Sequence, residues 1–208
     1  AELDVRQTSD GVVVLLHNET LLQRTGVNKR IWDVTYEEVR QLDAGKNFSQ
    51  DFIGEKIVSL DEVIENAKGK IRLNIEIKAH AKNPNIAKAV VELIEKHEFE
   101  NNCIVTSLDY ATLQKVRKLN PNLKIGLIIA ISLGDLISLY FDFFSVLHNM
   151  ANAEFIKKIH DLGKQVHVWT VNRKDRMIEL IDLGVDNIIT DDPLIFFEIM
   201  KERVGIDF

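Results

Sequence analysis

Residues 159–170 read IHDLGKQVHVWT, and residues 180–190 read LIDLGVDNIIT. Each is the end of an amphipathic helical pattern, then Asp-Leu-Gly, then a short run rich in β-branched residues. Gly163 and Gly184 stand where a helix can stop in the left-handed region before the chain turns into a sheet. A helix-glycine-strand unit used twice in succession argues for parallel strands joined by helical crossovers.

Working outward, the same alternation covers most of the chain. Strands are expected at 71–78 (IRLNIEIK), 103–108, 123–130, 141–148, 165–171 and 185–191, each rich in β-branched or aromatic residues. The intervening helices carry start signals. TYEE from Thr35 and SLDE from Ser59 fit the capping box, while Asn152 and Asn172 stand where N-caps would open the helices that follow. With about seven or eight strands, the expected architecture is α/β, a (β/α)8 TIM-type barrel. Its 208 residues fall short of the roughly 250 typical of that fold, so the barrel is expected to be incomplete at the N-terminus. No linker or low-complexity segment divides the chain, and residues 1–208 are expected to form a single domain.

Composition narrows the function. Lys and Arg total 26 against 32 Asp and Glu, a formal charge of −6, which speaks against a nucleic-acid partner. Cys103 is the only cysteine, so neither an intrachain disulfide nor a cysteine metal site can form. The most apolar stretch, residues 125–144, is interrupted by Gly134, Asp135 and Asp142 and reads as strand, loop and strand rather than a membrane span. No secretory leader opens the sequence, and a soluble domain is expected, either cytoplasmic or tethered to a membrane.

Two strands carry chemistry on one face. In ELDVR the polar set is Glu2, Asp4 and Arg6; in RLNIEIK it is Arg72, Asn74, Glu76 and Lys78. An isolated strand of this pattern is half-exposed, with its polar face in water. In a helix-wrapped barrel the apolar set faces the helices instead, which leaves the carboxylates inside. Buried carboxylates are costly unless paired or bound to a metal. Glu2, Asp4 and Glu76 are therefore candidate ligands for a hard divalent cation, Ca2+ or Mg2+. Asp10-Gly11 is a favoured two-residue hairpin turn. A turn centred there pairs Asp4 with His17 and would bring a general acid or base beside the carboxylates.

The pieces ELDVRQTSDGVVVLLHN, LQRTG, LDAGKNFSQDFIGEKIVSLDEVI, LNIEIK, VTSLDYATLQKVRKLNP, GKQVHVWTVN and IITDDP follow one another in an order that resembles the glycerophosphodiester phosphodiesterase family. The resemblance covers nearly the whole chain. It implies hydrolysis of glycerophosphodiesters, small-molecule substrates, to glycerol 3-phosphate and an alcohol. Residue by residue it implies metal ligation by Glu2, Asp4 and Glu76, neutralisation of phosphate charge by Lys78, a catalytic role for His17 as general acid, and a glycerol pocket lined by Trp169. A core position is the competing account of Trp169. The stretch FDFFSVLHNMANAEFIKKIH looks like the subset whose domain follows an integral membrane region.

Three departures from the family pattern stand out. The His-Arg-Gly strand and first helix that precede Glu-x-Asp in the family, with their histidine and arginine, have no counterpart here. Asn18 stands where aspartate usually follows the histidine, and RTG replaces RTTG. The first favours a competing reading, a non-catalytic or fragmentary barrel that binds metal or phosphodiester. It also predicts an open sheet edge and self-association. Lysophospholipids or phosphoinositides are the alternative substrates. His80, His97 and His160 are expected to be solvated, and Asp191 and Asp192 to shape the turn before Pro193.

Overall fold

Local chemistry starts most of the helices. In the computed structural model, which describes residues 1–130 and 140–205, α1 is a single turn at Leu22–Thr25. α2 (Tyr36–Arg40) and α3 (Leu60–Ala67) open with complete capping boxes from Thr35 and Ser59. α4 (Ile86–Lys96) buries Val90, Val91 and Ile94, and α5 (Tyr110–Leu119) is capped by Asp109. α6 (Ala153–Asp161) is capped by Asn152, whose Oδ1 accepts from the Phe155 amide at 2.9 Å. α7 (Lys174–Asp182) follows, and α8 (Pro193–Val204) starts at a proline after Asp192, whose carboxylate accepts from the Leu194 amide. Gly163 and Gly184 both occupy the left-handed region, as the repeated Asp-Leu-Gly pattern predicts.

The chain clusters into two compact units, Ala1–Ile125 and Gly126–Phe208. In the first, β1 (Glu2–Gln7), β2 (Val13–Leu15), β3 (Leu73–Ile77) and β4 (Cys103–Ser107) lie in the order β2-β1-β3-β4. β1 and β2 are antiparallel, and β1-β3-β4 are parallel, with Asp4 opposite Glu76 and Glu76 opposite Thr106. Val5, Leu73, Ile75, Ile77 and Val105 are buried, the expected pattern for strands sealed by crossover helices. Cys103 is buried in β4, and its burial, reinforced by the charge of Glu100, pushes the thiol up to about 12. In the second unit β5 (Ile125–Ile129), β6 (Phe143–Leu147), β7 (Gln165–Trp169) and β8 (Asn187–Ile188) are parallel neighbours in that order. Within it His167 is buried and stacked on Phe143, with ring centroids 4.1 Å apart. The loop expected within 125–144 falls mainly on residues 131–139, outside the described residues. No helix among the described residues is long and apolar enough to cross a membrane.

Three local expectations are corrected. The hairpin register runs Val5–Leu15, Arg6–Val14 and Gln7–Val13, which sets Asp4 against Leu16, with the Leu16 amide donating to the Asp4 carbonyl at 3.0 Å. The cause is a three-residue loop closed by Thr8: its amide donates to Val12 O, its carbonyl accepts from Gly11 N, and its hydroxyl donates to Asp10 at 2.5 Å. Asn172 does not cap α7. Its side chain is spent on Asp191, donating to the carboxylate at 2.6 Å and accepting from the backbone amide at 2.9 Å. His97 is not solvated but buried, held between Asp61 at 2.7 Å and Glu65 at 3.2 Å on α3.

Candidate active site

Parallel pairing of β1 with β3 sets Glu2 opposite Asn74 and Asp4 opposite Glu76. Side chains two residues apart share a face, so one layer collects Glu2, Asp4, Glu76 and Lys78. Carboxylate oxygens of Glu2, Asp4 and Glu76 come within 4.8 Å of one another. The Lys78 ammonium lies among them, 3.0 Å from Asp4 Oδ1 and paired with Glu76. The Lys78, Asp4 and Glu76 side chains are at most one-fifth exposed, so their charges act with little screening, whereas Glu2 is exposed. Thr106 Oγ1 donates to Asn74 Oδ1 at 3.0 Å beneath this layer.

Crowded carboxylates titrate out of their usual range. Although Glu2 is the most open of the three, removal of its carboxyl from water, then the charges of Asp4 and Glu76, push it up to about 7. Burial also raises Glu76, against the pull of Lys78. Burial works against the Lys78 charge, but Glu76 and then Asp4 outweigh it and hold the ammonium above its ordinary value. A set of three carboxylates offers only oxygen donors and fits a hard divalent cation, with no sulfur or nitrogen ligand to favour zinc.

His17 reaches this neighbourhood from beyond β2, not through the ladder. Arg6 Nε donates to the His17 carbonyl at 2.9 Å and so ties the segment after β2 to β1. Sequence reasoning counted Arg6 in the polar set but gave it no task. Leu16, Leu21, Ile31 and Ile57 form a small core beneath the excursion that carries His17. The His17 ring is exposed, with Nδ1 2.7 Å from Asn18 Oδ1. Asn18 commits its amide nitrogen to Gln23 Oε1, so its oxygen faces the ring, and Nε2 is the nitrogen left to exchange a proton. Asp4 and His17 line one cavity of about 460 Å³, within the usual range for small-molecule sites. Trp169 ends β7 in the second unit, half-buried, and its indole N–H is buried without an acceptor among the described residues.

Residues 1–195 match the glycerophosphoryl diester phosphodiesterase family model. The chain belongs to this family. It is 34% identical, over 97% of its length and 85% of the relative's, to a glycerophosphodiester phosphodiesterase of Caldanaerobacter subterraneus. Among solved structures, a glycerophosphodiester phosphodiesterase from Parabacteroides distasonis superposes with a TM-score of 0.84 at 27% identity, covering 97% of this chain and 83% of the other. A phosphodiesterase of Oleispira antarctica, solved with its product sn-glycerol-3-phosphate, superposes with a TM-score of 0.86 at 24% identity, covering 91% and 80%. The fold class expected from the sequence, α/β of the (β/α)8 type, is thus the family's and this chain's own. Within the phosphodiesterase frame, Glu2, Asp4, Glu76, Lys78 and His17 all belong to the first compact unit and Trp169 to the second.

Proposed function

We propose that the protein is a metal-dependent phosphoric diester hydrolase that converts glycerophosphodiesters to glycerol 3-phosphate and an alcohol. The observation that carries this reading is the convergence of Glu2, Asp4 and Glu76, with Lys78 among them, on neighbouring strands β1 and β3, where Asp4 also lines a cavity with His17. Glu2, Asp4 and Glu76 would hold a divalent cation, Ca2+ or Mg2+, which when bound neutralises charge on a non-bridging phosphate oxygen. Lys78 adds a fixed positive charge beside the phosphate. A water oxygen attacks phosphorus and releases its proton to solvent as the bond from phosphorus to the leaving alcohol's oxygen breaks. When the substrate's own glycerol hydroxyl attacks instead, it too releases its proton to solvent and forms a cyclic phosphate that water opens to glycerol 3-phosphate in a second step. His17, with Asn18 holding Nδ1, gives the proton on Nε2 to the alcohol's oxygen as it leaves. The family resemblance keeps Trp169 as the candidate for lining the glycerol pocket.

The test is release of glycerol 3-phosphate from glycerophosphocholine with Ca2+, with Mg2+ and with chelator, alongside His17→Ala. Cation-dependent turnover that falls about 10²–10⁴-fold in the variant is the expected result. Turnover that survives the chelator would sink the metal assignment, and full activity in His17→Ala would sink the acid.

A second reading, phosphodiester binding without turnover, has one observation in its favour. The Lys78 ammonium pairs with both Asp4 and Glu76, two of the three carboxylates that a cation would need. Binding of glycerophosphodiesters with choline and with octyl leaving alcohols alike, with no product from either at any cation concentration, would select it. Self-association and a membrane region in the parent protein are separate proposals; a concentration-independent monomer in sedimentation would remove the first.

A further inference from the structure

The cavity beside His17 has a second wall that the chemistry of the carboxylates does not use. Phe48 and Phe52, 69% and 46% exposed, stand on one loop with their rings edge to face, 5.3 Å between centroids. Large apolar side chains left in water at one spot mark a binding surface more often than chance. The loop is built to hold them there. The Asp43 carboxylate accepts from the backbone amides of Gly45, Lys46 and Gly54, each at 3.0 Å, and the Ala44 amide donates to the Glu55 carbonyl at 2.8 Å. Gly45 lets the two sides of the loop meet: a Cβ on it would lie 1.7 Å from the Phe52 carbonyl oxygen.

We infer that this wall receives the leaving alcohol, and that the preferred substrates are glycerophosphodiesters whose leaving alcohol carries an uncharged apolar body, an alkyl chain or aromatic group. The inference rests on the hydrolysis proposed above, and in particular on His17 protonating the leaving oxygen. That role puts the leaving alcohol on the His17 side of the phosphate, and the cavity on that side continues to Phe48 and Phe52. Charge argues against a cationic leaving group such as choline. Arg24 and Lys56 line the cavity against Glu55, while Asp4, the other acid there, is already paired with Lys78. An aromatic wall in that setting gains by covering methylenes, not by caging a quaternary ammonium.

The experiment uses two series of glycerophosphodiesters with ethyl, butyl, hexyl and octyl leaving alcohols, one hydrolysable and one of non-hydrolysable phosphonates. In the wild type, kcat/KM and phosphonate affinity should both rise about two- to fourfold per added methylene until the wall is covered. In Phe48→Ser and in Phe52→Ser this rise should flatten, while Leu119→Ser, at an apolar residue of α5 about as exposed as Phe52, should keep it. Phosphonate affinity independent of chain length in the wild type overturns the inference, whether or not the esters are hydrolysed. Chain-length-dependent affinity without hydrolysis of any ester sustains the inference and overturns the proposed activity instead. Binding of phosphatidylcholine vesicles that requires Phe48, with no chain-length dependence in solution, assigns the loop to a membrane surface and also overturns it.

Discussion

At the scale of single residues, the carboxylate layer makes metal binding depend on protons. Glu2 is held near 7 in the folded, metal-free chain, so below that pH a cation must displace a proton from it. The carboxyl's value is raised, which means the proton is held most firmly on the acid side and affinity weakens as pH falls through about 7. Ca2+ titrations at about pH 6 and about pH 8 should differ by about tenfold per pH unit on the acid side, with one proton released at the lower pH. A constant affinity would remove Glu2 from the ligand set. Much of this layer was legible in the sequence, because alternate residues of a strand share a face and the Glu-x-Asp and Asn-x-Glu-x-Lys patterns state that face outright. What was not legible was how His17 arrives. Its position depends on Thr8 closing a three-residue loop and on Arg6 donating to its carbonyl, neither of which alternation encodes.

At the scale of elements, features whose partners lie within four residues were readable, and those with distant partners were not. Ser59 and Glu62 form a capping box because both halves sit in one turn; the Glu62 carboxylate accepts from the Ser59 amide at 2.9 Å. The same carboxylate accepts from the Tyr36 hydroxyl at 2.6 Å, so the cap also fastens α3 to α2. Ser59→Ala should cost about 1 kcal/mol, read as a lower urea midpoint; an unchanged midpoint would mean that Tyr36 alone holds Glu62. Asn172 carries the same local signal as Asn152 yet is drawn away by Asp191, 19 residues on. His97 reads as a surface residue until α3 brings Asp61 and Glu65 against it. Propensity supplied the element, and packing decided how each polar group was used.

At the scale of the whole molecule, stability should carry the mark of a buried imidazole. Burial lowers His167 to about 4, with the Asp186 charge opposing weakly. Its folded value is depressed below the roughly 6.5 of an unfolded chain, so the neutral ring favours folding above 6.5 and that contribution is lost as pH falls toward 4. The difference is worth roughly 3 kcal/mol. Chemical unfolding of the wild type should therefore weaken across that window more than unfolding of His167→Gln. Parallel losses in the two proteins would show that other groups set the acid limit. The lone thiol of β4 gives this equilibrium a clock. Cys103 is shielded in the sheet and, with its thiol pushed up to about 12, presents almost no thiolate to a reagent at neutral pH. Alkylation must wait for the strand to open, and with no other cysteine in the chain every labelled molecule records one such opening. The rate of labelling with added Ca2+ against chelator would then time how long a bound cation keeps β3 and β4 shut, with no probe engineered into the protein.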